Sequence, residues 1–316
     1  MIDTHAHLYA EEFDDDREAM MQRASEAGVS KIVLPNVDST TLQRMLDLEA
    51  RHPGYCFSAI GVHPTSIGET MEEELALVER ELKRRNTPNG RNTTPDGLQL
   101  ASESRQSAPA DQLSTSTVRH PAPDDQHSTS ASRHPASTDQ LSTPYIAIGE
   151  IGTDLYWDKT YLKQQQEAFA RQLHWSLEYR LPVIIHVRES FEATFEVLQD
   201  FRGKGLRGIF HSFTGTAAQA HTISEFGTFY LGVNGIITFK NSGLRDELRH
   251  VSPEKIVLET DSPYLSPAPF RGRRNESSRL NLVAIQLAEL YGMSLEKMEQ
   301  LTTKNAESLF NFKGTT

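Results

Sequence analysis

Cysteine and long apolar runs are both scarce in this sequence. Cys56 is the only cysteine among 316 residues, so no disulfide can form within the chain, which suits a reducing cytosol. No run of about 18 or more apolar residues occurs, so we expect no membrane-spanning helix. A candidate strand begins at Ile2 and the first basic residue is Arg17, so we expect no secretory signal. These absences predict a cytoplasmic protein without a membrane partner.

Positive charge is also in short supply. The chain carries 32 Lys and Arg against 43 Asp and Glu, which gives a net charge of −11. This balance argues against a protein that coats duplex nucleic acid by charge alone. It does not exclude a phosphate-bearing substrate, because bound divalent cations invert the local potential of an acidic pocket.

One tract lacks aromatic residues entirely. From Arg85 to Pro144 there is no Phe, Trp, Tyr, Ile or Met, whereas Ser, Thr, Pro, Asp and Gln are frequent. Such a composition cannot bury enough apolar surface to offset the entropy of ordering. Asp-Gln pairs recur in it at intervals of 14 residues, at positions 111, 125 and 139. We predict a disordered insertion over 85–143 within a single metallohydrolase domain made of residues 1–84 and 144–313.

Outside this tract, strand-like and helix-like segments alternate. Short β-branched runs are followed by longer segments with apolar residues at a helical period. This alternation is typical of a parallel α/β protein, and eight such units predict a (β/α)8 TIM barrel. The insertion then falls before strand 4, at the rim opposite the expected site. The clearest strands are Lys31–Pro35, Cys56–Gly61, Thr228–Val233 and Lys255–Leu258, and the clearest helices are Thr41–Arg51, Met71–Arg85, Tyr161–Tyr179, Glu192–Phe201, Leu280–Tyr291 and Leu295–Phe310.

Histidine and acidic residues stand where the apolar runs end. Residues two apart on a strand share a face, so His5 and His7 can reach one ion together. A single histidine after an apolar run is more often structural than a ligand, but matching chemistry at several strand ends favours one metal site. In a barrel the carboxyl ends of the strands meet at the active face. The candidate ligands are His5, His7, Glu150, His186, His211 and Asp261.

The motifs around these residues, in chain order, resemble those of the TatD-family metal-dependent deoxyribonucleases. The likeness covers everything except the insertion. It implies a TIM barrel of the wider amidohydrolase superfamily that hydrolyses DNA phosphodiester bonds with two metal ions. The motifs are His5-Ala-His7-Leu8, Gly61-Val62-His63-Pro64, Gly149-Glu150-Ile151-Gly152, Pro182-Val-Ile-Ile-His186, Phe210-His211-Ser212-Phe213-Thr214-Gly215, Gly235-Ile-Ile-Thr-Phe-Lys240 and Leu258-Glu-Thr-Asp261-Ser-Pro-Tyr264.

Matched position by position, the resemblance implies a role for each candidate ligand. His5, His7 and Asp261 correspond to the ligands of one cation, and His186 and His211 correspond to those of the second. Glu150 corresponds to the bridge between them. The cations would be Mg, Mn or Zn, and Asp261 is the best candidate to orient the attacking water and take its proton. The sequence departs from the family pattern at Asp154-Leu155-Tyr156 and at Ser212, and we expect neither departure to touch a ligand.

Further residues on the expected active rim are candidates for substrate contact. Basic side chains there can bind phosphate, and aromatic ones can stack on a base. Each also has an ordinary structural alternative, namely a capped loop, a surface ion pair, ring packing or a solvated charge run. The candidates are His63, Tyr156, Arg188, Lys240, Tyr264 and Arg274.

The sequence leaves three functions open. The first is 3′–5′ exonuclease or endonuclease action on single-stranded or end-frayed DNA, by a monomer or weak oligomer. The second is hydrolysis of a small amide or ester, which shares fold and ligands, although the Glu150 bridge and the Arg271–Arg274 run argue against it. The third is a non-enzymatic metal-binding scaffold whose working part is the repeat tract.

Overall fold

Eight parallel strands form the centre of the protein. A computed structural model of the chain describes residues 1–86 and 143–312. Each strand pairs with the next one along the chain, in the order β1 to β8. The strands are β1 (Ile2–Asp3), β2 (Lys31–Pro35), β3 (Cys56–Ile60), β4 (Ala147–Asp154), β5 (Val183–Arg188), β6 (Arg207–Phe210), β7 (Thr228–Val233) and β8 (Ile256–Leu258).

Helices follow the strands along the chain. They are α1 (Arg17–Glu26), α2 (Ser39–Arg51), α3 (Met71–Asn86), α4 (Leu162–Tyr179), α5 (Phe191–Gln199), α6 (Ala217–Phe226), α7 (Leu244–Leu248), α8 (Leu280–Tyr291) and α9 (Leu295–Leu309). Within the residues that the structure describes, no helix combines the length and the apolar character needed to cross a bilayer.

Hydrogen bonds between the two ends of the sheet close the barrel. The amide of Thr4 donates to the carbonyl of Leu258 at 3.0 Å. Beyond the last pair of the strands, the amide of Asp261 donates to the carbonyl of His5 at 2.9 Å, and that of His7 donates to Ser262 at 2.7 Å. The predicted (β/α)8 barrel is confirmed. Its closure joins the first candidate ligands to the last.

Strand alternation places His186 and His211 above an apolar cluster. Ile184 and Ile209 are fully buried in one apolar cluster with Val257. His186 and His211 follow these isoleucines by two residues and therefore point to the same face of the sheet. Leu309 of α9 packs into the same cluster. Apolar packing thus supports the histidines from below.

The backbones of β4 and β5 approach each other closely at Gly152. Gly152 has a φ of +137°, which residues with a side chain rarely adopt. A Cβ atom there would lie 2.1 Å from the carbonyl oxygen of His186. Only glycine therefore allows β4 to run this close to the strand that carries His186.

The end of α3 differs from the expected boundary. We predicted that the insertion begins at Arg85, but α3 continues to Asn86 and Arg85 is buried. Its guanidinium donates to Glu49 at 2.6 Å and lies over the ring of Tyr145 at 4.3 Å. The Asn86 side chain also donates to the carbonyl of Tyr145 at 2.9 Å. Arg85, which we predicted to be the first residue of the insertion, instead forms a buried ion pair. The predicted disorder lies outside the described residues.

Because Asn86 and Tyr145 are hydrogen-bonded, a short linker can replace residues 88–142. We predict that this deletion leaves the unfolding midpoint nearly unchanged in thermal denaturation. Adding Arg85→Ala to the deletion should cost about 3–5 kcal/mol, because Glu49 is then buried without its partner. Lys83→Ala is the control, since Lys83 is exposed and its ion pair with Glu79 is at the surface. Failure of the deleted protein to fold would show that the tract is structural.

Candidate metal centre

The carboxylate of Glu150 lies among histidines at the carboxyl ends of the strands. It is buried, and it projects from β4. Its Oε1 atom lies 2.8 Å from Nδ1 of His186 and 2.9 Å from Nε2 of His211. Its Oε2 atom lies 3.2 Å from Nε2 of His5 and 3.6 Å from Nε2 of His7. One carboxylate therefore faces imidazoles with both of its oxygens.

Asp261 completes the group on the side of His5 and His7. Its Oδ1 atom lies 3.6 Å from Nε2 of His5 and 3.7 Å from Nε2 of His7. These two nitrogens are 3.1 Å apart. Asp261 has a φ of 55°, a left-handed conformation in which aspartate is enriched. The turn after β8 thus aims this carboxylate at the histidine pair, and all six candidate ligands converge.

His63 lies closer to this group than we expected. Its Nε2 atom is 3.2 Å from Nδ1 of His186 and 3.3 Å from Oε1 of Glu150. We predicted a substrate contact, and the structure adds His63 to the possible ligands. Three sets of side chains bring one donor atom each to within 4.8 Å of one another: His5, His7 and Asp261; His5, Glu150 and His211; and His63, Glu150 and His186.

Tyr9 determines which nitrogen of His7 carries the proton. The Tyr9 hydroxyl donates to the carbonyl of Pro35 at 2.5 Å and lies 2.7 Å from Nδ1 of His7. A phenol has one proton, so its oxygen accepts from the Nδ1–H of His7. Nε2 of His7 is then unprotonated and faces Glu150, as a metal ligand requires. Burial lowers the pKa of His7 to about 4, which favours the neutral ring.

Asp154 orients His186 in a similar way. Its Oδ2 atom lies 2.9 Å from Nε2 of His186, and its Oδ1 atom accepts from the amide of Tyr156 at 2.9 Å. We expected this stretch to touch no ligand, and that expectation is wrong. The register of β4 against β5 is the cause, because Gly152 pairs with His186 and brings the end of β4 alongside it. Nδ1 of His186 is thereby directed at Glu150.

Glu259 is a buried acid that the sequence reading did not assign. It is fully buried, and its Oε1 atom accepts from the amide of Ser212 at 2.6 Å. The same atom lies 3.4 Å from Nδ1 of His211. Its place directly after the apolar run of β8 was the available signal. Gly232 makes room for it, since a Cβ atom there would lie 2.1 Å from Oε2 of Glu259.

The charges in the site favour a bound cation. Burial raises the pKa of Glu150, but electrostatic interactions with the His211, His63 and His5 rings outweigh burial and hold this pKa well below its usual range. Burial also raises the pKa of Asp261, to about 7. Several carboxylates thus share a buried space with imidazoles as their nearest partners. Nitrogen and carboxylate donors in this arrangement fit divalent ions such as Zn or Mn, whose charge would offset the burial cost.

A cavity of about 1080 Å³ opens above these residues. Its wall includes Glu150 and Asp261 at the bottom and Arg188, Trp157 and Tyr264 nearer the surface. Trp157 and Tyr264 are 75% and 56% exposed. The candidate ligands therefore lie at the base of a cleft that a substrate can enter.

Two of the predicted substrate contacts are not in the wall of this cavity. Arg274 is not among the residues that line the cavity; it donates to Asp16 at 2.7 and 2.9 Å and lies over the ring of Phe13. Lys240 is exposed and is also absent from the cavity wall. Arg274 thus pairs with an acid that is distant in sequence, and a substrate contact by either residue stays a prediction. Tyr156 does not line the cavity itself but packs against Arg188, which does.

A TIM barrel with histidines and carboxylates gathered at the carboxyl ends of its strands is an architecture of metal-dependent hydrolases. The chain belongs to the family described as TatD related DNase, which its residues 2–311 match. The resemblance of the motifs is confirmed.

Known proteins are similar over nearly the whole chain. An uncharacterised metal-dependent hydrolase of Bacillus subtilis, YabD, is 31% identical over 311 residues, which are 98% of each chain. A protein of Erwinia tasmaniensis named 3′–5′ ssDNA/RNA exonuclease TatD is 29% identical over 98% of this chain and 100% of its own. The crystal structure of YjjV, a TatD homologue from Escherichia coli, has a TM-score of 0.75 at 26% identity and covers 98% of both chains.

We predict that Gly232→Ala disturbs the centre, because the added methyl group collides with the Glu259 carboxylate. Overpacking of this kind costs about 1–3 kcal/mol. Denaturant unfolding should show the loss, and Mn²⁺ titration should show weaker binding as His211 shifts. Gly68→Ala is the control, since its methyl group would meet nothing nearer than 4.0 Å. Equal behaviour of the two variants would mean that Glu259 moves freely.

Proposed function

We propose that this protein hydrolyses phosphodiester bonds in DNA, as a 3′–5′ exonuclease or an endonuclease. The observation that carries the proposal is the position of Glu150 between two sets of donor atoms at the base of an open cavity. The full-length similarity to a protein named 3′–5′ ssDNA/RNA exonuclease supports the substrate class.

The proposed centre holds two divalent cations, Mg, Mn or Zn. His5, His7 and Asp261 would hold one of them and His186 and His211 the other, with Glu150 shared. Bound there, the cations would supply an acidified water and positive charge beside the phosphate oxygens.

The side chains of the protein have separate tasks in this proposal. Asp261 orients the attacking water and accepts its proton, because its carboxylate lies at the cavity wall beside the histidine pair. Tyr9 and Asp154 keep the rings of His7 and His186 in position by hydrogen bonds. Arg188 reaches the cavity from the end of β5, where its guanidinium can bind a phosphate group.

Cleavage of end-labelled oligonucleotides tests this function. Single- and double-stranded DNA would be incubated with the purified protein and Mg²⁺, Mn²⁺ or Zn²⁺ in turn. We predict hydrolysis with at least one metal and none with chelator, and a label at either end distinguishes exonuclease from endonuclease products. A parallel panel of small lactones and amides tests the alternative chemistry. Turnover of these compounds without any DNA cleavage would contradict the proposal.

Asp261→Asn should abolish most of the activity while preserving the fold. Asparagine also tolerates the left-handed backbone at this position, but its amide cannot accept a proton from water. We expect the rate to fall by about 10²–10⁴. The control is Asp246→Asn, an exposed acid on α7. Near-normal turnover of Asp261→Asn with full metal occupancy, measured by elemental mass spectrometry, would assign the proton transfer to another residue.

A further inference from the structure

Aromatic side chains are left exposed at the mouth of the cavity. Among the described residues, the large apolar side chains that are exposed are Tyr156, Trp157, Tyr264, Ile285 and Leu295. The three aromatic ones all lie at or beside the entrance to the candidate metal centre. Trp157 is the most exposed of them, at 75%. Exposed aromatic side chains clustered at the entrance of a cavity are typical of a ligand-binding surface.

Arg188 lies against two of these rings. Its guanidinium carbon is 3.7 Å from the ring centre of Tyr156 and 5.6 Å from that of Trp157. The two rings meet edge to face at 4.6 Å. Tyr156, Trp157 and Arg188 therefore form one continuous surface, which we call the aromatic platform.

The Arg188 guanidinium of the aromatic platform can donate hydrogen bonds to a ligand. Arg188 lines the cavity, yet no carboxylate of residues 1–86 or 143–312 lies within ion-pair distance of it. Arg274, by contrast, is bound to Asp16. A planar cation with free N–H groups beside exposed rings is suited to a ligand that is both aromatic and anionic.

Trp157 also lines a second cavity. The volume of this cleft is about 290 Å³, and its wall includes Pro64, Ile67 and Tyr161. Trp157, Thr65 and Asp154 border both spaces. A chain stacked on Trp157 can thus extend from the metal centre into the neighbouring cleft.

We propose that the aromatic platform binds an unpaired base of a single-stranded polynucleotide, while Arg188 contacts an adjacent phosphate. The inference rests on the proposed function, because it places the platform beside the bond to be cleaved. In a duplex the faces of a base are covered by its neighbours, whereas an unstacked base offers a face to an aromatic ring. The platform therefore selects single strands and frayed ends over intact duplex.

The platform proposal is tested by removing either the Trp157 ring or the base that would stack on it. Trp157→Ala and Trp157→Phe would be compared on a single-stranded oligonucleotide and on the same oligonucleotide with abasic sites near its 3′ end. We expect Trp157→Ala to weaken binding to the intact strand by about 5- to 150-fold. The loss should be far smaller on the abasic strand, and Trp157→Phe should restore most of the affinity.

Binding is measured without cleavage, so the result does not depend on activity. The chain has two tryptophans, and Trp175 is buried at 8% exposure. In chelator, oligonucleotide should quench the fluorescence of the wild-type protein but not that of Trp157→Phe; anisotropy of a labelled strand then gives the affinities of the variants. Ile285→Ala, an exposed apolar residue on α8, is the control and should bind normally.

The outcomes separate this inference from the proposed function. Fluorescence quenching in the wild-type protein and a base-dependent loss of affinity in Trp157→Ala would support the platform. If no metal then supports DNA cleavage, the nuclease proposal is overturned. The platform proposal alone would be overturned if the protein cleaves DNA but Trp157→Ala loses equal affinity for the intact and the abasic strand. Cleavage with no loss of affinity in Trp157→Ala would have the same meaning. Absence of oligonucleotide binding by the wild-type protein would also overturn it.

Discussion

The arrangement of the histidines at the active face depends on their contacts with the Glu150 carboxylate. This carboxylate is buried, and imidazole nitrogens from β5 and from the segments after β1 and β6 lie 2.8–3.2 Å from its two oxygens. A buried carboxylate costs several kcal/mol unless opposite charge and hydrogen bonds offset the loss of water. Its neighbours must therefore converge on it, and the closed barrel is the structure that brings strands from both ends of the chain to one point.

Close approaches of the backbone make this convergence possible. Gly152 lets β4 run against the carbonyl of His186, and Gly232 leaves the space that the Glu259 carboxylate fills. Tyr9 and Asp154 then hold the rings of two histidines by hydrogen bonds. The base of the site is thus densely hydrogen-bonded, whereas its mouth is open and carries exposed rings. The base of the site is suited to catalysis, and its mouth is suited to substrate recognition.

Much of this arrangement could be predicted from the sequence. The barrel followed from alternating strand and helix patterns, and the six candidate ligands stand where apolar runs end. Strand periodicity determines which side chains share a face, so local patterns carry this information. The motifs then assigned the family, because each of them surrounds a residue of the site.

Other features could not be predicted, because they depend on contacts between distant parts of the chain. Asp154 meets His186 only through the register of β4 against β5. Arg274 resembled a phosphate-binding residue, but Asp16 neutralises it from the opposite end of the sequence. Arg85 looked like the edge of a solvated tract, although it pairs with Glu49 inside the protein. A local sequence pattern does not reveal which partner a charged side chain will find.

The central claim is that Glu150 joins two metal ions within one centre. A crystal structure of the Mn²⁺-loaded protein, with anomalous diffraction measured at the manganese edge, tests it most directly. The account predicts two anomalous peaks about 3.5–4 Å apart, one beside His5, His7 and Asp261 and one beside His186 and His211, with a Glu150 oxygen bound to each. A single peak at full occupancy, or two peaks that Glu150 does not connect, would contradict it.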